Sequence, residues 1–193
     1  MAVTVSVASL PRQEGSSQPW VNDIPAPPEF GLELLKVPEG SPMHIDLLLQ
    51  SVSEGVLVQG TADVHLVGQC ARCLRDIEDA YREQITELVY YPERKAAFLE
   101  EGDEEVEESQ EIVDDSFDLE AMLRDSIVPN LPFRPLCRPD CPGLCPECGE
   151  RWDDLPEDHH HDHFDSRFDG LAALQAQMEA DQMGADESEQ DQA

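Results

Sequence analysis

The run from Gly55 to Cys73, GVLVQGTADVHLVGQCARC, decides the fold. Its even positions, Val56, Val58, Gly60, Ala62, Val64, Leu66, Gly68 and Cys70, are apolar or small, whereas Gln59, Thr61, Asp63, His65 and Gln69 hold the odd ones. Side chains of a strand alternate between two faces, so this pattern predicts one long strand with a buried side. Ser53-Glu54-Gly55 is the turn that opens it, and Gly60 and Gly68 allow a bend or bulge.

Moving upstream, Met43, Ile45, Leu47 and Leu49 repeat the alternation, and Phe30, Leu32 and Leu34 begin it, so both stretches are expected as strands. Residues 1–28 carry Pro11, Pro19, Pro25, Pro27 and Pro28 among serine and glutamine, which suits an extended N-terminal arm. Downstream, Ile77, Tyr81, Ile85 and Val89 fit either regular element. The β-favouring types around them decide for a strand that Pro92 closes. Residues 29–92 therefore form an antiparallel β region, open or barrel-like.

Between Glu100 and Asp115 stand ten acids in sixteen residues with no base, and self-repulsion keeps such a run solvated. Residues 93–115 are expected as an acidic flexible loop. Asp118 can cap a helix whose apolar stripe is Leu119, Met122, Leu123 and Ile127, ending before Pro129. A second helix is expected over 166–183 from the spacing of Phe168, Leu171, Leu174 and Met178. Residues 116–183 thus give a helix, a cysteine-rich segment and a C-terminal helix packing on the sheet, and 184–193 an acidic tail. The fold class is α+β.

With 43 acids against 12 bases and a formal charge of −31, the chain is ill suited to holding nucleic acid across a wide surface, because phosphate binding needs lysine and arginine. Basic proteins and cations are its electrostatic partners. No apolar run approaches the roughly 18 residues of a membrane helix, and Met1 to Leu10 has no basic n-region. A cytoplasmic protein without a membrane role is expected. In that compartment thiols stay reduced, so clustered cysteines read as metal ligands before disulfides.

The six cysteines fall into three pairs. Cys145-Pro146-Glu147-Cys148-Gly149 is a zinc-knuckle pattern, in which two sulfurs face one ion and the glycine permits a positive φ. Cys70 and Cys73 share that spacing, and Cys137 and Cys141 are separated by three residues. Three pairings compete. All four later cysteines form one site; or Cys70 and Cys73 join one later pair; or two sites exist, Cys70, Cys73, Cys137 and Cys141 in one and Cys145 and Cys148 with two imidazoles in the other. His159, His160, His161 and His163 are available, with His159 and His161 as the extra ligands; a solvated loop is the plainer reading of that run. A closed, structural zinc site is expected, and structural zinc contributes about 10–16 kcal/mol in zinc-finger peptides. His44 and His65 lie on polar strand faces and read as surface residues. Phosphate-cradling loops, nucleophile elbows and dinucleotide fingerprints are missing from the sequence, so an enzyme is not expected.

In order along the chain, these residues resemble the YceD family, the large-subunit ribosomal RNA accumulation proteins of bacteria and plastids. The resemblance rests on Cys70-Ala71-Arg72-Cys73-Leu74 after a strand, Phe117-Asp118-Leu119 opening a helix that ends before Leu131-Pro132, and Pro135-Leu136-Cys137. It continues through Cys141-Pro142-Gly143-Leu144-Cys145 to Cys148-Gly149, and Asp165-Ser166-Arg167-Phe168. It spans about residues 28–178. Members typically start the last helix with aspartate-proline-arginine, where this chain has Ser166, and many carry further cysteines where this chain has its histidine run. That departure either removes the second site or shifts its ligands toward imidazole.

The resemblance implies a bacterial, non-enzymatic ribosome-biogenesis factor supporting large-subunit ribosomal RNA. Given its charge, the chain is expected to act through basic ribosomal proteins or large-subunit assembly factors. Arg72, Arg75, Arg82, Arg134, Arg138 and Arg151 flank the cysteines and would form one basic patch, a local ribosomal RNA or phosphate contact, if the pairs converge. A zinc-dependent protein-interaction adaptor unrelated to ribosomes is the alternative.

Overall fold

A computed structural model describes residues 3–103 and 106–161, with 171, 174 and 177 beyond them. The chain divides into two compact units, Met1–Leu144 and Cys145–Ala193. Among the described residues, seven strands and two α-helices organise the first. They are β1 (Thr4–Ser6), β2 (Ser17–Pro25), β3 (Leu35–Lys36), β4 (Pro42–Ser51), β5 (Gly55–Gln69), β6 (Asp76–Tyr90), α1 (Pro92–Glu100), β7 (Ser116–Asp118) and α2 (Leu119–Ile127).

Strand β5 is the spine, as its period-two pattern requires. It pairs antiparallel with β6 along its whole length from Gly55–Tyr90 to Gln69–Asp76. On its other edge it pairs first with β4 and then, at Val67 and Gly68, with β3. Strand β2 pairs with β4, and a separate two-stranded sheet joins β1 to β7. The main sheet is open: among the described residues β2 and β6 are its two margins and do not pair, so the barrel-like expectation is corrected.

Val56, Val58, Ala62, Val64 and Leu66 of β5 are buried beside Met43, Ile45, Leu47 and Leu49 of β4. From the helix, Leu119, Met122, Leu123 and Ile127 enter the same core. Each such aliphatic side chain gains about 1.5–3 kcal/mol from burial. The helix begins where the sequence predicts, with the Asp118 carboxylate accepting from the Ala121 N–H at 3.1 Å. At Gly60 the reason for glycine is a close approach: a Cβ there would stand 2.0 Å from the Asp46 carbonyl oxygen.

Three expectations need correcting. Within the predicted arm, β1 and β2 are strands, and Val5, Val7, Leu10 and Ile24 are buried. Prolines fit an edge strand as well as an arm, because an edge strand needs only one side's hydrogen bonds, and Pro19 and Pro25 lie in that position in β2. Phe30, Leu32 and Leu34 are not a strand. Gly31 has φ 141°, and the tight approach of Lys36 to it folds this stretch into a loop around the fully buried Phe30. Finally, the acidic stretch contains α1 and then returns along the sheet, the Tyr90 N–H donating to the Gln110 carbonyl and the Ile112 N–H to that of Tyr90. Val106 and Ile112 are its buried anchors among exposed acids.

Leu171, Leu174 and Gln177 are helical. The rest of the helix expected over 166–183, with Phe168 and Met178, and the tail 184–193 lie outside the described residues. No described helix is long and apolar enough to cross a membrane.

Candidate metal centres

Where β5 ends and β6 begins, the chain reverses through Cys70–Arg75. The Cys70 N–H donates to the Arg75 carbonyl at 2.8 Å and the Leu74 N–H to the Cys70 carbonyl at 2.9 Å. Leu74 adopts φ 56° to close this turn. In the second unit Cys145–Glu150 repeats the pattern bond for bond: Cys145 N–H to the Glu150 carbonyl at 2.7 Å, and Gly149 N–H to the Cys145 carbonyl at 2.9 Å, with Gly149 at φ 75°. Two knuckles therefore share one backbone design, in which the left-handed residue after the second cysteine turns both sulfurs the same way.

After α2 ends in a 3-10 turn over Val128–Asn130, the proline-stiffened chain returns to the first knuckle. The Ala71 N–H donates to the Pro135 carbonyl at 2.8 Å, and the Arg72 guanidinium donates to the Cys141 carbonyl at 2.9 Å. Cys137 and Cys141 thereby meet Cys70 and Cys73. Cys70 Sγ stands 3.7 Å from Cys141 Sγ, and Cys73 Sγ 3.7 Å from Cys137 Sγ. A disulfide would place them at about 2.05 Å; four thiolates at about 2.3 Å from a tetrahedral ion stand about 3.8 Å apart. The observed spacing is that of a ligand shell. Ile77, Leu136 and Leu144 pack around it, and Cys70, Cys73 and Cys141 are buried.

In the second unit, Cys145 Sγ lies 3.4 Å from His161 Nε2 and Cys148 Sγ 3.7 Å from His159 Nε2. Sulfur and imidazole nitrogen on one tetrahedral ion stand about 3.6 Å apart. Glu147 Oε2 approaches His161 Nδ1 at 3.5 Å, leaving Nε2 for a metal, the usual way an outer carboxylate orients a ligating imidazole. The Trp152 ring meets the His159 ring edge-on with centroids 5.5 Å apart. In each cluster the four ligand atoms lie within 4.8 Å of one another, so each could hold a metal ion.

Electrostatics point the same way. Burial pushes the Cys70 thiol up, but backbone N–H groups of Cys137, Cys73 and Arg72 outweigh it and bring it down to about 6. Burial, then hydrogen bonds with the neighbouring thiols of Cys141, Cys73 and Cys70, pushes Cys137 up to about 12; burial likewise raises Cys141. Four crowded sulfurs cannot all ionise unaided, and a divalent cation among them removes that conflict. In the second cluster the Cys148 N–H, against burial and with the Glu147 N–H and the His159 side chain, lowers Cys145 to about 6. If all four groups of a cluster held one ion, a tetrahedral site would be filled, as structural zinc sites are.

Of the three cysteine pairings open to the sequence, the last is found. Within the first unit Arg82 is not brought to the other arginines, so the six do not make one patch. Arg82 lies opposite Asp63, with Nε 2.5 Å and Nη2 3.0 Å from its carboxylate oxygens, and six residues along β6 from the knuckle is about 20 Å. Arg151, in the second unit, faces Asp154 at 3.9 Å. Arg72, Arg75, Arg134 and Arg138 lie on the two loops that meet at the first cluster, where Arg138 is 3.2 Å from Asp140. His44 is exposed as expected and holds Asp23 at 2.7 Å. Glu147 and the strained Leu74 were not visible in the sequence, since nothing local distinguishes this glutamate from the chain's many others or a leucine at positive φ.

A family model described as "Large ribosomal RNA subunit accumulation protein YceD" matches residues 58–175, a span that includes both clusters. Uncharacterised proteins of Mycobacterium bovis and Mycobacterium tuberculosis are 39% identical over 174 residues, covering 89% of this chain and 81% of theirs. One from Mycobacterium leprae is 36% identical over 147 residues, or 76% of this chain and 66% of its own. No solved structure matches. The matched span runs through the first knuckle, the capped helix, the proline loop and the second knuckle, and this chain belongs to the YceD family.

Proposed function

We propose that the chain is a non-enzymatic, cytoplasmic ribosome-biogenesis factor that supports the accumulation of large-subunit ribosomal RNA, shaped by two structural zinc ions. The observation that carries this reading is the family match, which spans both ligand clusters. Zinc is the metal that suits four thiolates, or two thiolates and two imidazoles, at tetrahedral spacing. Bound there, it would neutralise the thiolates. The chain's own work is mechanical: Cys70 and Cys73 fasten the β5–β6 hairpin to the loop holding Cys137 and Cys141, and Cys145 and Cys148 fasten the second knuckle to His159 and His161.

A charge of −31 favours basic ribosomal proteins or assembly factors as the main partners, which an acidic surface could screen until they meet RNA. Depleting the protein is expected to lower large-subunit RNA relative to small-subunit RNA. An unchanged ratio in depleted cells would leave the adaptor unrelated to ribosomes as the better account.

A further inference from the structure

The bases of this chain are not scattered evenly. Residues 70–75 and 131–139 together contain four arginines, Arg72, Arg75, Arg134 and Arg138, and no acid, in a chain where acids outnumber bases more than threefold. The fold joins these two segments at the first metal cluster through the Ala71–Pro135 hydrogen bond and the Cys73–Cys137 contact. All four arginines are exposed. Beside Arg134 stands Phe133, 79% exposed, the most exposed of the large apolar side chains described.

Resting on the reading above, we infer that this arginine-rich, aromatic tip at the first metal cluster is a contact for single-stranded RNA, with Phe133 stacking on a base and the guanidiniums meeting phosphates. An exposed aromatic ring next to arginine is what unstacked bases use, whereas an acidic protein partner would need the charges but not the ring. The acidic remainder of the chain does not forbid it. At physiological salt the Debye length is about 8 Å, so only nearby acids such as Asp76 and Asp140 oppose a phosphate at the tip. The Arg138–Asp140 pair is exposed, and pairs of that kind exchange readily. Repulsion from the rest of the molecule instead limits the footprint, favouring a single strand over the denser charge of a duplex.

The test uses the full chain loaded with zinc and a short fluorescein-labelled single-stranded RNA of mixed sequence, read by anisotropy across a salt series, with the matching duplex alongside. The single strand should bind more tightly than the duplex. With no more than four phosphates engaged, log K should fall against log salt with a slope no steeper than about −3. Phe133→Ala should weaken binding about five- to 150-fold, the range for loss of one stacked base. Phe133→Trp should restore it, and Arg134→Gln should make the salt slope shallower by about 0.7.

Absence of binding at low salt, or binding indifferent to Phe133→Ala and Arg134→Gln, overturns the inference. So does loss of binding to a purified basic ribosomal protein in those variants while RNA affinity stands. A normal RNA ratio in depleted cells despite tight RNA binding would instead sink the proposed function and leave the site.

Discussion

Leu74 and Gly149 occupy equivalent places in the two knuckles and meet the same demand at different cost. A non-glycine residue in the left-handed region is strained by about 1–2 kcal/mol, and Leu74 carries that strain at φ 56° while Gly149 at φ 75° does not. Space is not a factor at Gly149, since a Cβ there meets nothing within 4 Å. Gly149→Ala therefore isolates the backbone term, and should weaken metal binding at the second cluster about five- to thirtyfold, as 1–2 kcal/mol implies. Leu74→Gly should leave the first cluster's affinity equal or higher. Competition with a chromophoric chelator measures both, and a Gly149→Ala protein that holds its metal as tightly as the parent contradicts the knuckle geometry.

At the scale of elements, β5 organises everything its neighbours do, and Gly60 is where it can be broken with one methyl group. A methyl added at Gly60 would lie 2.0 Å from the Asp46 carbonyl oxygen, backbone that cannot move without parting β4 from β5. Gly60→Ala should cost about 3 kcal/mol or more, judged by the range for severe overpacking, and appear as a lower urea midpoint. A midpoint within error of the parent would mean that β4 and β5 are not paired in this register. The same strand explains why the fold was legible: an uninterrupted period of two, continued in β4 and recoverable in β6 from its residue types, leaves only one way to bury the apolar face. Signals shared by two structures were not legible. Prolines mark an arm and an edge strand alike, so β2 was missed, and a charge run conceals two buried anchors, Val106 and Ile112. The cysteine pairing stayed open because spacing fixes which sulfurs are neighbours in a knuckle and says nothing about which loop returns to it. That was decided by the Ala71–Pro135 bond and the stiff segment after α2.

For the molecule as a whole, the division into Met1–Leu144 and Cys145–Ala193 places one complete ligand cluster in each unit. A ligand bound only by the folded state stabilises by about 4 kcal/mol when present at a thousand times its dissociation constant. For a chain of this size, that corresponds to about 8–16 °C in the unfolding midpoint. The first cluster is sealed under Ile77, Leu136 and Leu144 at the end of the main β5–β6 hairpin, so its loss falls on the sheet. Cys73→Ser should therefore remove one zinc per chain and lower the sheet's midpoint by about that amount, followed by the near-ultraviolet circular dichroism of its tyrosines. Cys148→Ser should also remove one zinc yet leave that transition within a degree or two, because no ligand of the second cluster comes from the first unit. Chelating both ions should reproduce the Cys73→Ser shift in the parent and add nothing to it in that variant. If Cys148→Ser lowers the sheet's midpoint as far as Cys73→Ser, the two clusters are coupled and the units do not unfold independently.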